Sequence, residues 1–385
     1  MSSNRKKKGT KATKHVALES KISTGDTTVD VTDITIDVED MMQELGNTKS
    51  GISKYTKLAK SMGIDLTEFI PKHKKYYLKF HLRRTNSGLA NAIRRGICSE
   101  YKCLSMIANY KQDITSDDVY IKVDEVRKHI EAIPFQQDDL PPLEYMQKNW
   151  KISLDYTNES STIKVIHSSD IHIHDSHTKT DIDVGDLFEG MIPIASLKPG
   201  RYLKAIITLA VGRGETNGNA FKACGAWNYC DMNADDGKHI LSYEPNHFSM
   251  GYQTYGNCKN PTHIIRCICE DLIARVTKYA NVIAEFPQTY EDQITDDVQF
   301  TNIGSMYKYT FMNENRTITN MFSDYGRAIS PEDFNVSGYD HPSQPTSFVK
   351  IKHSQPHVIM VDASKKILKD LNIILEFFNN YKWKP

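Results

Sequence analysis

Four histidines crowd one stretch, His167, His172, His174 and His177, with Asp170, Asp175 and Asp181 close by. Imidazole and carboxylate side chains are ligands for divalent metals, and residues two apart on a strand share a face, so His172 and His174 invite a metal reading. No spaced signature such as His-Glu-x-x-His supports it, and the stretch is expected to be a polar loop without a metal. Gly212-Arg213-Gly214-Glu215-Thr216-Asn217-Gly218 follows an apolar run, as phosphate-binding loops do. It lacks the third glycine of Gly-x-Gly-x-x-Gly and the Gly-Lys-Ser/Thr ending of a P-loop, so it reads as a turn. Cys267 and Cys269 sit two apart on an expected helix, which points them to different faces and makes them packing residues.

No Ser/His/Asp or Cys/His constellation stands out by spacing, and this chain is expected to have no active site of its own. Arg5, Lys6, Lys7, Lys8, Lys11 and Lys14 form a basic arm, followed by an acidic block from Asp26 to Glu44. The arm reads as a solvated tail, a localisation signal or a phosphate contact. A stand-alone nucleic-acid-binding protein acting through this arm is the alternative function, and a metalloenzyme centred on the histidines is a third.

The remaining composition bounds these options. The 385 residues carry 48 Lys+Arg against 48 Asp+Glu, which excludes a globally basic nucleic-acid coat. Seven cysteines, an odd number in a long chain, are expected to be reduced thiols. No run has the apolar length of a membrane span or a secretory leader, so a soluble intracellular protein is expected.

Alternation and helical spacing supply the elements. Ile34 to Val38 suits one short strand in the acidic block. Tyr76 to Leu82 reads as a strand, and Thr85-Asn86-Ser87 caps a helix running to Tyr101, with Leu89, Ile93 and Ile97 on one face. Cys103 to Tyr110 suits a strand and Ser116 to Ala132 a second helix, completing a strand-helix-strand-helix unit. Short strands fill Phe135 to Met232, among them Trp150 to Tyr156, Thr162 to Ile166 and Tyr202 to Val211. Tyr243 to Met250 resumes as a strand, and Pro261 opens a long helix with Ile264, Ile265, Ile268, Leu272, Val276, Ala280 and Ile283 at helical spacing. Glu285 to Phe300 is polar enough for a linker. The last part then repeats the opening plan: strand Tyr307 to Met312, helix Thr317 to Tyr325, strand Ser347 to Lys352, and a final helix striped by Met360, Ile367, Leu371, Ile374 and Phe378.

Four motifs resemble a known family. Ala90-Asn91-Ala92-Ile93-Arg94-Arg95-Gly96-Ile97-Cys98-Ser99-Glu100 resembles the Ala-Asn-Ala-Leu-Arg-Arg-x-x-x-Ser-Glu helix of alpha-like subunits of multisubunit RNA polymerases. Ile192-Pro193-Ile194-Ala195-Ser196-Leu197-Lys198-Pro199-Gly200 is similar to that family's insert-domain pattern, with Arg201 in place of Gln and Ala220-Phe221-Lys222-Ala223 departing from His-Ala-Lys-Trp. Tyr309 to Asn320 and Ser337 to Pro342 resemble the smaller L-type, or eleventh-subunit-type, partner, with Arg316 and Thr319 in place of His and Gly. A single chain with both is like the fused subunit of nucleocytoplasmic large DNA viruses.

The resemblance implies an α+β fold of two alpha-like dimerisation domains, the first interrupted by a strand-rich insert. Its expected divisions are a flexible tail (1–74), a first dimerisation domain (75–134 and 233–284), the insert (135–232), a linker (285–304) and an L-type second domain (305–385). It further implies a non-catalytic platform on which two large catalytic subunits and smaller subunits of a viral DNA-directed RNA polymerase assemble. DNA and RNA would be met only through that complex. Asn91, Arg94 and Arg95 are carried over as contacts to the second-largest subunit, where guanidinium forks hold carboxylates bidentately. Relatives can hold zinc or an iron-sulfur cluster in the insert, but Cys224 and Cys230 lack paired spacing, so no metal or cofactor is expected. The fusion makes pairing of the halves intramolecular, at an effective concentration on the order of millimolar. Virion and host cytoplasm are the expected locations, with the host nucleus as the alternative.

Overall fold

The computed structural model describes residues 35–40, 77–109, 112–221, 224–230, 247–254, 258, 260–339 and 346–382. The basic arm and most of the expected tail lie outside them. Strand β1 (Thr35–Asp40) is followed by β2 (Tyr77–Arg83), then helix α1 (Ser87–Arg95), which widens into one π turn at Gly96–Glu100. Next come β3 (Lys102–Ile107), β4 (Ile114–Ser116), α2 (Val123–Glu131), α3 (Leu143–Asn149), β5 (Trp150–Thr157), β6 (Lys164–His167), β7 (Ile171–Asp175), β8 (Thr180–Ile182), β9 (Pro193–Leu197) and β10 (Tyr202–Arg213). Strands β11 (Cys224–Cys230) and β12 (His247–Thr254) lead to the long helix α4 (Thr262–Ala284). The chain ends with β13 (Gln293–Ile294), β14 (Val298–Ile303), β15 (Met306–Met312), α5 (Arg316–Ile329), β16 (Phe334–Tyr339), β17 (Thr346–Ile351) and α6 (Pro356–Asn380). The fold is mixed α+β with antiparallel sheets.

Two strand-to-helix corners are built the same way. Arg84 at the end of β2 and Asn313 at the end of β15 both take the left-handed conformation, with φ of 58° and 56°. Two residues later an asparagine caps the helix: Asn86 accepts from the Leu89 amide at 3.0 Å, and Asn315 from the Thr317 amide at 2.8 Å. A side-chain oxygen at that position satisfies an amide that the helix itself leaves without a partner.

The sheets repeat as well. One is ordered β1-β2-β12-β11, and another runs β14-β15-β17-β16 with β13 added at the β14 edge. In each, the strand before the shorter helix lies beside the strand before the long one. Leu78, Phe80 and Leu82 of β2 alternate inward and are fully buried, as are Tyr309 and Phe311 of β15. The long helices α4 and α6 close over these sheets through Ile264, Ile268, Leu272 and Val276 on one, and Met360, Ile367, Leu371 and Phe378 on the other. All belong to one continuous core, which includes an edge-to-face contact of Phe80 with Phe378 at 5.5 Å. Each such side chain contributes about 1.5–3 kcal/mol by leaving water, so this core carries most of the cohesion between the halves.

A second core is formed by residues from Leu104 to Leu209. Its sheet runs β3-β10-β5-β7-β8 with β4 paired to β10, and the β6–β9 ribbon lies apart. Strands β3 and β10 join the two cores: Cys103 lies in the first and Leu104 in the second. Val126 and Ile130 of α2 also pack in the second core, so the strand-helix-strand-helix run read from the sequence is divided between both. Conversely, β11 pairs with β12 in the first sheet.

Two elements differ from the sequence expectation. The helix expected from Ser116 starts only at Val123. Asp117 accepts from the Tyr202 amide at 2.8 Å, and Asp118 accepts from the amides of Tyr120 and Lys198 at 3.1 and 3.2 Å, which holds this stretch in a turn. The expected linker 285–304 supplies β13 and β14, because buried Val298 and Phe300 alternate with half-exposed Gln299 and Thr301. The short strand expected at Ile34 to Val38 is present as β1, Thr35–Asp40, antiparallel to β2. Among the described residues no helix is long and apolar enough to cross a membrane.

Candidate functional site

Helix α1 presents its three motif residues in two directions. Arg94 donates through Nε and Nη2 to the Asn91 Oδ1, at 3.1 and 2.9 Å, and both residues remain half-buried on the helix surface. Arg95 turns inward instead. Its Nε donates to Thr317 Oγ1 at 2.9 Å and lies 3.7 Å from Glu100 Oε1. Of the three expected contact residues, Asn91 and Arg94 form a surface pair and Arg95 bonds the second half.

Arg95 borders a buried polar cluster where both halves meet. Glu100, 1% exposed, accepts from Arg275 Nη1 at 2.6 Å, from Thr317 Oγ1 at 2.5 Å and from Asn315 Nδ2 at 3.0 Å. Glu314 takes the other edge of the same guanidinium, accepting from Arg275 Nε at 2.8 Å and from its Nη2. Asp271, one turn before Arg275 on α4, accepts from Arg275 at 3.2 Å and from Arg213 of β10 at 3.0 Å. At the margin, Asn315 also donates to Glu215 at 3.2 Å, and the Glu215 amide bonds the Ser99 carbonyl at 3.1 Å. Three carboxylates (Glu100, Glu314, Asp271) thus face three guanidiniums (Arg275, Arg213, Arg95).

Burial alone would raise the Glu100 carboxyl. The Arg275 charge and the hydrogen bonds from Thr317, Arg275 and Asn315 outweigh it and hold Glu100 below the usual glutamate value. Burial also works against the Arg275 charge, yet the bonds and charges of Glu314 and Glu100 hold it more firmly protonated than usual. Charge-assisted bonds of this geometry repay desolvation only when both partners are present, so the cluster fixes how the halves meet more than it adds net stability. It binds side chains to side chains, with Ser87 adding a bond to Asp324 at 2.8 Å across the α1–α5 contact.

No protein-family model matches the chain, and no curated protein matches it. The site therefore rests on its own residues.

Sequence reasoning named Asn91, Arg94 and Arg95 and missed Arg275, Asp271 and Arg213. The available signal was Glu100 and Glu314, buried acids that sit inside two of the quoted motifs and require a cation. The stretch ends β10 at Arg213 and turns from Gly214, as the turn reading expects, and two of its glycines sit at close approaches: a Cβ on Gly212 would stand 2.3 Å from the Phe221 ring, and one on Gly214 3.2 Å from Ser99 Cα. His172 and His174 do share the exposed face of β7, and His174 Nδ1 lies 2.8 Å from Asp181 Oδ1. His177 instead packs edge-on to Tyr145, with ring centres 6.0 Å apart. Among the described residues, no three His, Cys, Asp or Glu side chains converge as a metal site would require. Cys267 contacts His263 at 3.4 Å while Cys269 is fully buried, so the two point apart as expected. In the last motif, Ser337 bonds Asn320 at 2.8 Å, and Asp340, His341 and Pro342 lie outside the described residues.

Proposed function

We propose that this chain is the non-catalytic assembly platform of a multisubunit DNA-directed RNA polymerase, of the fused kind found in nucleocytoplasmic large DNA viruses. The two halves act as alpha-like and L-type dimerisation domains, and the second core, from Leu104 to Leu209, acts as the insert. The observation that carries the reading is the meeting of two motifs far apart in sequence: Arg95 and Glu100 of the first bond Thr317 and Asn315 of the second. The matching strand orders of the two outer sheets support it, because a pair of related domains would put the same plan on both sides.

On this reading the fused halves hold each other as two separate subunits otherwise would. The surface pair Asn91 and Arg94 is left for the second-largest subunit, and Arg95 is a positioning residue inside the platform. Phosphodiester chemistry belongs to the large subunits. The place of action is the virion and the host cytoplasm. Tagging the chain in the infected cells that make it, and identifying its stoichiometric companions by mass spectrometry, tests the proposal. Two very large partners with RNA-synthesis activity are the expected result; recovery of the chain alone would overturn it.

A further inference from the structure

We infer that Tyr290 and His357 form an acid-released latch, which holds the junction between the two halves against the second half at neutral pH and frees it in acid. The inference goes beyond the assembly reading and does not depend on it. Residues 286–292 carry the chain from α4 to β13. Two of their rings, Phe286 and Tyr290, lie against His357 in the first turn of α6, with centres 5.6 and 5.1 Å away. Phe300 of β14 and Tyr309 of β15 close its other sides at 4.6 and 5.8 Å. The histidine is thus ringed by four aromatic side chains and is 2% exposed.

The junction side of this contact is strained. Tyr290 has a φ of 54°, in the left-handed region that a bulky side chain rarely enters. Its backbone is held there by long bonds: its amide donates to the Pro287 carbonyl at 3.5 Å, and Asn302 donates to its carbonyl at 3.4 Å. The seat of its ring against His357 and Tyr307 is what offsets the strain.

The histidine side is sensitive to charge. The Tyr309 hydroxyl lies 2.6 Å from His357 Nδ1, while the buried Nε2 has no hydrogen-bond partner among the described residues. With the hydrogen on Nε2, Tyr309 donates to Nδ1. A second proton on the ring would force the Tyr309 hydroxyl to accept and strand its own hydrogen among buried rings. The titratable groups that face the imidazole are the Tyr290 phenol from the junction and the Tyr309 phenol from β15, and among the described residues no carboxylate or ammonium acts on it. Burial holds its protonation below the ordinary histidine range, with the Pro287 carbonyl opposing, and the amide end of α6 disfavours the charge further. Opening the junction brings His357 to water and restores its ordinary affinity for a proton. Each pH unit below the ordinary range therefore favours the open form by up to about 10-fold, until the lowered value is reached. The stripes of α4 and α6 hold the halves together throughout, so release frees the junction alone.

Hydrogen exchange of the full chain, read by mass spectrometry at about pH 7.5 and about pH 5 and corrected for the intrinsic rate at each, tests the latch. Peptides spanning residues 286–292 are expected to exchange about 10-fold faster at the lower pH, while peptides from the middle of α4 and α6 keep their rates. His357→Phe keeps a ring that takes no proton and is expected to hold the junction closed at both pH values. Tyr290→Ala removes the ring that offsets the strain and is expected to leave the junction open at both. Equal junction rates in the wild type would overturn the proposal. So would a pH response that persists in His357→Phe or Tyr290→Ala, which would assign it to another group. Acceleration of the mid-helix peptides together with the junction would mean acid unfolding of the whole chain and would overturn it as well.

Discussion

Glu100 and Glu314, one from each half of the chain, grip the same guanidinium: Arg275 stands 2.6 Å from an oxygen of the first and 2.8 Å from an oxygen of the second. Arg275 is only 12% exposed, so its removal strands two buried carboxylates at once. Arg275→Ala is therefore expected to cost about 3–5 kcal/mol, the penalty for breaking a buried pair on one side. Urea unfolding of the purified chain measures it, and a loss under about 1 kcal/mol would show that water relieves the acids. The triple change Arg275→Met/Glu100→Gln/Glu314→Gln removes the stranded charges and is expected to recover part of the loss.

Two acids should give the stability curve opposite slopes. Glu100 has its folded value below the ordinary one, so its contribution is complete above the ordinary glutamate range and is lost as pH falls through the folded value, on the acid side of that range. Asp370 of α6 is shifted upward: burial raises it despite the bond from the Tyr325 hydroxyl at 2.5 Å. Its contribution is greatest below the ordinary aspartate range and is lost as pH rises through the raised value. Asp370→Asn keeps an acceptor for Tyr325 and should raise the urea midpoint at pH 8 more than at pH 4. Equal shifts at both pH values would refute the assignment.

Much of this fold was legible because burial follows simple periods. The stripes of α4 and α6 fall at helical spacing, and their residues fill the core between the halves except at Ala280, where Tyr279 is the buried one. Strand β14 was hidden because Gln299 and Thr301 dilute the apolar signal of Val298 and Phe300, giving a linker-like composition to a half-solvated strand. The turn after β4 was hidden for another reason: Asp117 and Asp118 bind amides of residues 198 and 202, a contact that local propensity does not contain. Arg275 escaped for the same cause. Glu100 and Glu314 lie on other elements, and within α4 Arg275 reads as one more polar residue beside an apolar stripe.

On the proposed assembly role, the split between Arg94 and Arg95 should separate assembly from stability. Arg95 bonds Thr317 and approaches Glu100 in the core-facing cluster, so Arg95→Ala is expected to cost about 1–2 kcal/mol. Arg94 bonds only Asn91 on its own helix among the contacts described, and Arg94→Ala should change the unfolding free energy by less than about 0.5 kcal/mol. Large-subunit retention should show the reverse order, falling more for Arg94→Ala. Two parallel losses of retention and stability would return Arg94 to a purely structural role.

The covering of one half by the other predicts the behaviour of the chain alone. The apolar stripe of a long amphipathic helix must be covered by other apolar side chains; here Ile268, Leu272 and Val276 of α4 share one buried core with Met360, Ile367 and Leu371 of α6. Gly96 tightens the arrangement from the side, since a Cβ there would come within 2.5 Å of Ile268 on α4. The purified chain should therefore sediment as a monomer of 43.9 kDa at micromolar concentration. Gly96→Val is expected to cost about 1–3 kcal/mol by overpacking without changing that state. A stable homodimer of the wild type would mean that a dimerisation face remains uncovered, and the second half would then need a role other than completing the first.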